Sequence, residues 1–134
     1  MSAPDWLGRM LDVAGRAGGL TDTTGINPVL QRQAPPSDRP RSAAVLVLFG
    51  GPADADPGAP GGLPADADVL LTQRASTLRD HSGQIAFPGG ATDPGDDGPI
   101  GTALREAQEE TGLDPAGVVP LATMPGIYVP PSRF

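Results

Sequence analysis

GPIGTALREAQEETGL, residues 98–113, is the stretch on which the reading of the fold turns. Ile100, Ala103, Leu104 and Ala107 recur at i, i+3, i+4 and i+7, the spacing of one narrow apolar face on a helix. Pro99 suits the first helical position, and Asp96 and Asp97 favour the positive end of the helix dipole. Gly112 suits the left-handed cap that ends such a helix, with Leu113 as the apolar contact beyond it. The pattern predicts a helix from Gly98-Pro99 to Gly112 that lies on a sheet.

The same stretch holds every glutamate of the chain. Of sixteen acidic residues thirteen are Asp, scattered along the sequence, and the three Glu are Glu106, Glu109 and Glu110. At 100° per residue they fall into one stripe beside the apolar face. Like charges at that spacing destabilise an isolated helix. A bare stripe of this kind reads as a solvated acidic face; it is also the set of oxygen donors that a hard divalent cation such as Mg²⁺ requires. Arg105, four residues before Glu109, is placed to orient it. A rival cation site, the DPGDDG turn at residues 93–98, fails as a calcium loop: its third position is Gly95 and its twelfth is Leu104, where a bidentate Glu is needed.

Outward from this helix, composition narrows the field. The chain has 134 residues, the size of one domain, and its 19 Gly and 17 Pro predict a small core with long loops. All nine basic residues are Arg, so a lysine phosphate loop and Schiff-base chemistry are excluded. The absence of Cys excludes disulfides, thiolate metal sites and cysteine nucleophiles. A net charge of −7 argues against nucleic acid as a partner. No apolar run is long enough to span a membrane, and no signal segment is recognisable. A cytoplasmic protein acting on a small molecule is expected; oligomeric state is not legible.

Residues 1–42 are expected to form an N-terminal helix, with Trp6, Leu7, Met10, Leu11 and Ala14 at helical spacing, followed by a Pro-rich arm. Residues 43–134 form the main domain. AAVLVLF (residues 43–49) predicts a buried strand, and a Gly-, Pro- and Asp-rich excursion follows over residues 50–68. VLLTQR (69–74), QIAFP (84–88) and VVPLATM (118–124) predict further strands.

From FPGG (residues 87–90) into ALREAQEETGL (103–113), the sequence resembles the Nudix box, G-x5-E-x7-R-E-U-x-E-E-x-G-U with U apolar. The second half matches at Arg105, Glu106, Ala107, Glu109, Glu110, Gly112 and Leu113. The first half departs: five residues after Gly90 comes Asp96 rather than Glu, and the following spacer has eight residues rather than seven. Upstream, LLTQRASTLRDHSGQIAFPGG (residues 70–90) fits LLTxR[SA]x3Rx3Gx3FPGG, the second signature of the coenzyme A pyrophosphatases within the Nudix family.

The resemblance implies an α/β fold of the Nudix type, a mixed β-sheet sandwiched between helices, in which the box forms a loop-helix-loop. It implies hydrolysis of a diphosphate bond with Mg²⁺ (or Mn²⁺). Glu106 and Glu110 would be metal ligands, Glu109 a further ligand or the group handling the water proton, and Arg105 the holder of a carboxylate. Gly89 would add a carbonyl ligand, and Gly89 and Gly90 would let backbone approach the substrate without a Cβ in the way. Arg74 and Arg79 would contact phosphate oxygens; Arg74 reads equally as the end of a strand paired with a nearby Asp. His81, the sole His, reads as structural. The expected substrate is coenzyme A or an acyl-CoA, cut to 3′,5′-ADP and 4′-phosphopantetheine. The alternatives are another nucleoside diphosphate derivative (ADP-ribose, NADH) and an inactive, truncated nucleotide-binding fragment. The short Pro-rich stretch after Leu113 carries one convincing strand, so the domain is expected to be partial at its C-terminus, with a marginal fold.

Overall fold

The computed structural model describes residues 4–8, 10–12, 34–54, 64–77, 79 and 82–130. At the N-terminus, helix α1 (residues 5–8 and 10–12) buries Trp6 and Leu7. The Trp6 ring meets Phe49 edge-on with centroids 6.4 Å apart, and its indole N–H donates to the Pro52 carbonyl at 3.0 Å. A buried Trp needs such an acceptor, and the pair pins α1 to the strand run that follows the arm. The remainder of the predicted helix, to residue 18, lies outside the described residues, as does the middle of the 50–68 excursion.

Three extended runs build the β part, and each changes partner half-way. In the first, β1 (Ala43–Val45) pairs antiparallel with β6 (Gly89–Ala91), Ala44 standing opposite Gly90, while β2 (Phe49–Gly50) pairs with β3 (Asp68–Val69). In the second, β3 is followed by β4 (Thr72–Gln73), which pairs with β5 (Ile85–Ala86) at the start of the third run. Single bonds carry the pairing past the strand ends: Leu46 N–H to the Pro88 carbonyl, Leu70 N–H to Leu48 and Arg74 N–H to Gln84.

AAVLVLF is therefore not one buried strand. Pro88 stands opposite Leu46 and accepts its N–H, but it has no N–H to return, so the ladder stops there. The chain beyond turns to a second partner. Val45 and Val47 are 60% and 47% exposed where the sequence predicts burial. VLLTQR splits in the same way between β3 and β4. Residues 118–130 contain no strand, because Pro120 and Pro125 remove donors that a ladder needs; Val119, Leu121 and Met124 stay exposed. A short 3₁₀ turn, Pro115–Gly117, precedes them, capped by the Asp114 side chain, which accepts from Ala116 N–H at 3.0 Å.

Helix α2 (Gly98–Thr111) has the predicted bounds. Pro99 lies in its first turn, and Gly112 closes it at φ 73°, donating its N–H to the Gln108 carbonyl. It packs on β1 and β6 through Thr102, Ala103 and Ala107, all buried. Leu104 is half-buried and Ile100 is exposed, so the buried face is made of smaller residues than the sequence pattern suggests. Small side chains let the helix backbone come close to the glycines of β6. The result is a mixed α/β arrangement of one long helix on short antiparallel strand pairs. No helix among the described residues is long and apolar enough to cross a membrane.

Candidate active site

Arg105 sits where α2, β6 and the 92–97 loop meet, and every N–H of its guanidinium has an acceptor. Nε donates to Asp96 Oδ1 at 2.8 Å, and Nη2 donates to Asp96 Oδ2 at 3.0 Å and to the Ala91 carbonyl at 2.9 Å. Nη1 donates to Glu106 Oε1 at 3.0 Å and to both carboxylate oxygens of Glu109 at 3.3 Å. Asp93 adds a longer ion pair at 3.6 Å. One planar cation with five donors thus fastens loop to helix and holds two glutamates in fixed positions. The pairing of Arg105 with Glu109, open from sequence, is present.

Asp96, with only 5% of its side chain exposed, is the most enclosed acid of the cluster. The hydrogen bonds from Arg105, foremost, and those from Asp93 N–H and the Thr102 hydroxyl hold its carboxyl well below the usual carboxylate range, against the opposing effect of burial. Asp96 in turn, with Glu106 and Glu109, raises Arg105 above its ordinary value. Asp97 stands at the N-cap but makes no cap bond through its side chain, while Asp96 turns aside to Arg105.

The depressed value has a consequence for stability. The unfolded chain takes up the Asp96 proton first, so this contribution is complete above the ordinary Asp value of about 3.9 and is lost as pH falls below it. Thermal unfolding across pH 2 to 7 should show Asp96→Asn less stable than the native protein at neutral pH, with the gap closing below about pH 4. A gap independent of pH would contradict this.

Glu106 lies directly over Gly90. A Cβ on Gly90 would stand 2.6 Å from the Glu106 carboxyl carbon and 2.7 and 2.8 Å from its oxygens, so only glycine leaves the carboxylate in place. Gly89 occupies a position of β6 whose N–H and C=O turn away from β1, since the bonded pairs of that ladder fall at Pro88, Gly90 and Thr92. Ala91 has the same parity, and its carbonyl is the one that Arg105 holds. The Gly89 carbonyl therefore lies along the same edge of β6 as the Ala91 carbonyl. Glu110, one turn beyond Glu106, is exposed and makes no hydrogen bond or ion pair among the described residues.

These donors are hard oxygens, and among the described residues Glu106 has a partner only on Oε1, so their chemistry fits Mg²⁺ or Mn²⁺. The three glutamates do not converge: among the described residues no group of three or more acidic or His side chains is gathered to hold a metal ion unaided. Mg²⁺ rarely asks for that, being held by one or two carboxylates together with water and substrate phosphates.

The upstream arginines stand apart from the cluster. Arg74 follows β4 and pairs with Gln84 through its backbone, while its side chain is exposed, as is that of Arg79 in the β4–β5 connection. Among the described residues neither forms an ion pair, so the pairing of Arg74 with a nearby Asp is not seen. His81 lies outside the described residues.

Thr102, fully buried and bonded to Asp96, escapes a reading from sequence, as a Thr within a helix carries no signal of its own. Asp96 did carry one, because it stands where the motif places its first acid.

The family model of the NUDIX domain matches residues 56–134. The chain is 46% identical over 99 residues to the uncharacterized Nudix hydrolase NudL of Pectobacterium atrosepticum, a match covering 71% of this chain and 45% of that protein. It is 52% identical over 59 residues to the protein of that name in Cronobacter sakazakii, covering 44% of this chain and 31% of the relative. With the one in Yersinia pestis it shares 51% over 70 residues, covering 47% and 35%. The chain thus spans less than half the length of these relatives. No solved structure matches it.

Proposed function

Because this chain belongs to the Nudix family, we propose that its α2 stripe is the metal-binding centre of a pyrophosphohydrolase acting on a small-molecule diphosphate in the cytoplasm. The observation that carries the reading is the Arg105 cluster, in which Nε and Nη2 are anchored on Asp96 and the Ala91 carbonyl while Nη1 holds Glu106, which lies over Gly90, and Glu109. A Mg²⁺ or Mn²⁺ ion held by Glu106 and Glu110, with the Gly89 carbonyl, would neutralise phosphate charge and lower the pKa of the attacking water. Glu109, 59% exposed and tethered by Arg105, would receive that water's proton. Arg105 touches no substrate in this scheme; through Nη1 it bridges the two carboxylates and holds them in position.

Coenzyme A or an acyl-CoA is the substrate we infer, yielding 3′,5′-ADP and 4′-phosphopantetheine. The reading is supported by the upstream signature, whose Arg74 and Arg79 offer exposed guanidinium groups suited to phosphate oxygens. Coenzyme A, its analogue lacking the 3′-phosphate, ADP-ribose and NADH should be compared side by side with Mg²⁺, the products separated by chromatography. Coenzyme A is expected to be cut fastest. Arg74→Ala or Arg79→Ala should shrink its advantage over the 3′-dephospho analogue about tenfold, the effect of one charge-assisted contact. Equal rates on coenzyme A and ADP-ribose would transfer the assignment to a broader nucleoside diphosphate hydrolase.

A further inference from the structure

We propose that Thr102 is a positioning residue for the glutamate stripe, acting through Asp96 on Arg105; the proposal rests on the hydrolase reading above. Thr102 is wholly buried in α2, on a face otherwise made of Ala103 and Ala107. A buried hydroxyl is costly unless bonded, and alanine would pack there without that cost. Its Oγ1 lies 2.9 Å from Asp96 Oδ2, and 3.2 Å from both Thr92 Oγ1 and the Gly98 carbonyl. The charged carboxylate is the strongest acceptor of the three, so the hydroxyl donates to Asp96 and accepts from Thr92.

Asp96 Oδ2 then receives three donors, from Thr102, Asp93 N–H and Arg105 Nη2, while Oδ1 receives Arg105 Nε. Asp is one methylene shorter than the Glu of the family motif, and the spacer from it to Arg105 is one residue longer. With Thr102 bracing Oδ2 from the helix side, the carboxylate plane cannot rotate, and the Arg105 fork that docks on it is set. Nη1 of the same guanidinium holds Glu106 and Glu109. Valine at position 102 would fill the same volume with no donor. Asp96 would turn, and the error would pass through Arg105 to both glutamates, where a displacement of about 1 Å costs on the order of a hundredfold in rate.

Two readouts test this in the same protein: steady-state kinetics, and solvent exchange of arginine Nε–H groups by NMR. In the native protein the Arg105 Nε–H, bonded to Asp96, should exchange far more slowly than those of the exposed Arg74 and Arg79. Thr102→Val should speed that exchange and lower kcat about tenfold to a hundredfold, with KM little changed and the circular dichroism native. Thr102→Ser, which keeps the hydroxyl, should restore slow exchange and most of the rate. Native exchange and native kcat in Thr102→Val would overturn the proposal. If that variant fails to fold, two other results would overturn it: fast exchange of Arg105 Nε–H in the native protein, or fast exchange together with a lost rate in a folded Thr102→Ser. Should the native protein cleave no diphosphate, the hydrolase reading fails, while the exchange comparison still decides what Thr102 does.

Discussion

Glu106→Gln should remove turnover while leaving helix α2 formed. Gln has nearly the helix propensity of Glu, and its amide oxygen still accepts from Arg105, so circular dichroism should not change. What is lost is the anionic oxygen offered to a divalent cation. The loss should exceed the roughly tenfold to hundredfold that follows removal of a group standing behind a metal ligand. Glu110→Gln should behave alike, and it is the cleaner test. Among the described residues Glu110 makes no hydrogen bond or ion pair, so its replacement breaks nothing in the protein itself. Near-normal activity in both variants would leave the stripe as the solvated acidic face that its bare sequence also permits.

Gly90→Ala should cost nearly as much in rate, by a different route. The backbone at Gly90 is not in the left-handed region, so alanine meets no conformational strain. Its methyl would instead arrive within 2.6 to 2.8 Å of all three carboxyl atoms of Glu106. The Glu106 side chain is flexible and will swing away, so thermal stability should change little. The carboxylate, however, leaves both Arg105 and its place over β6, and kcat should fall on the order of a hundredfold. Gly89→Ala makes the contrast. There the added methyl meets the Val45 backbone at 2.7 Å, which cannot yield, so the β1–β6 pair itself should be destabilised. A Gly90→Ala protein with native kcat would show that the position of Glu106 does not govern the reaction.

Local signals account for what was legible in the sequence. Pro99, the apolar repeat and Gly112 act within a turn or two of helix, and α2 runs between them as read. The glutamate stripe and its neighbour Arg105 needed only helical geometry. Long-range choices were not legible in this way. Residues 43–49 look like one strand because every side chain is apolar; the break comes from Pro88, some forty residues away, which halts the ladder at Leu46. VVPLATM has the composition of a strand, but composition does not supply a neighbouring edge, and Pro120 removes a donor from its middle. The same applies within the site. Asp96, in the loop before α2, and Arg105, inside the helix, are nine residues apart, and only the folded chain shows them forked together with Thr102 closing the third side. The family motif marked both partners without showing the bond.

Divalent-cation binding itself tests the central claim most directly. Mn²⁺ titrated into the protein and followed by electron paramagnetic resonance reports bound against free ion without any substrate. The native protein should take up Mn²⁺ in competition with Mg²⁺, and Glu106→Gln and Glu110→Gln should each weaken that uptake. Equal Mn²⁺ uptake by the native protein and both variants would contradict the assignment of the α2 stripe as the metal centre.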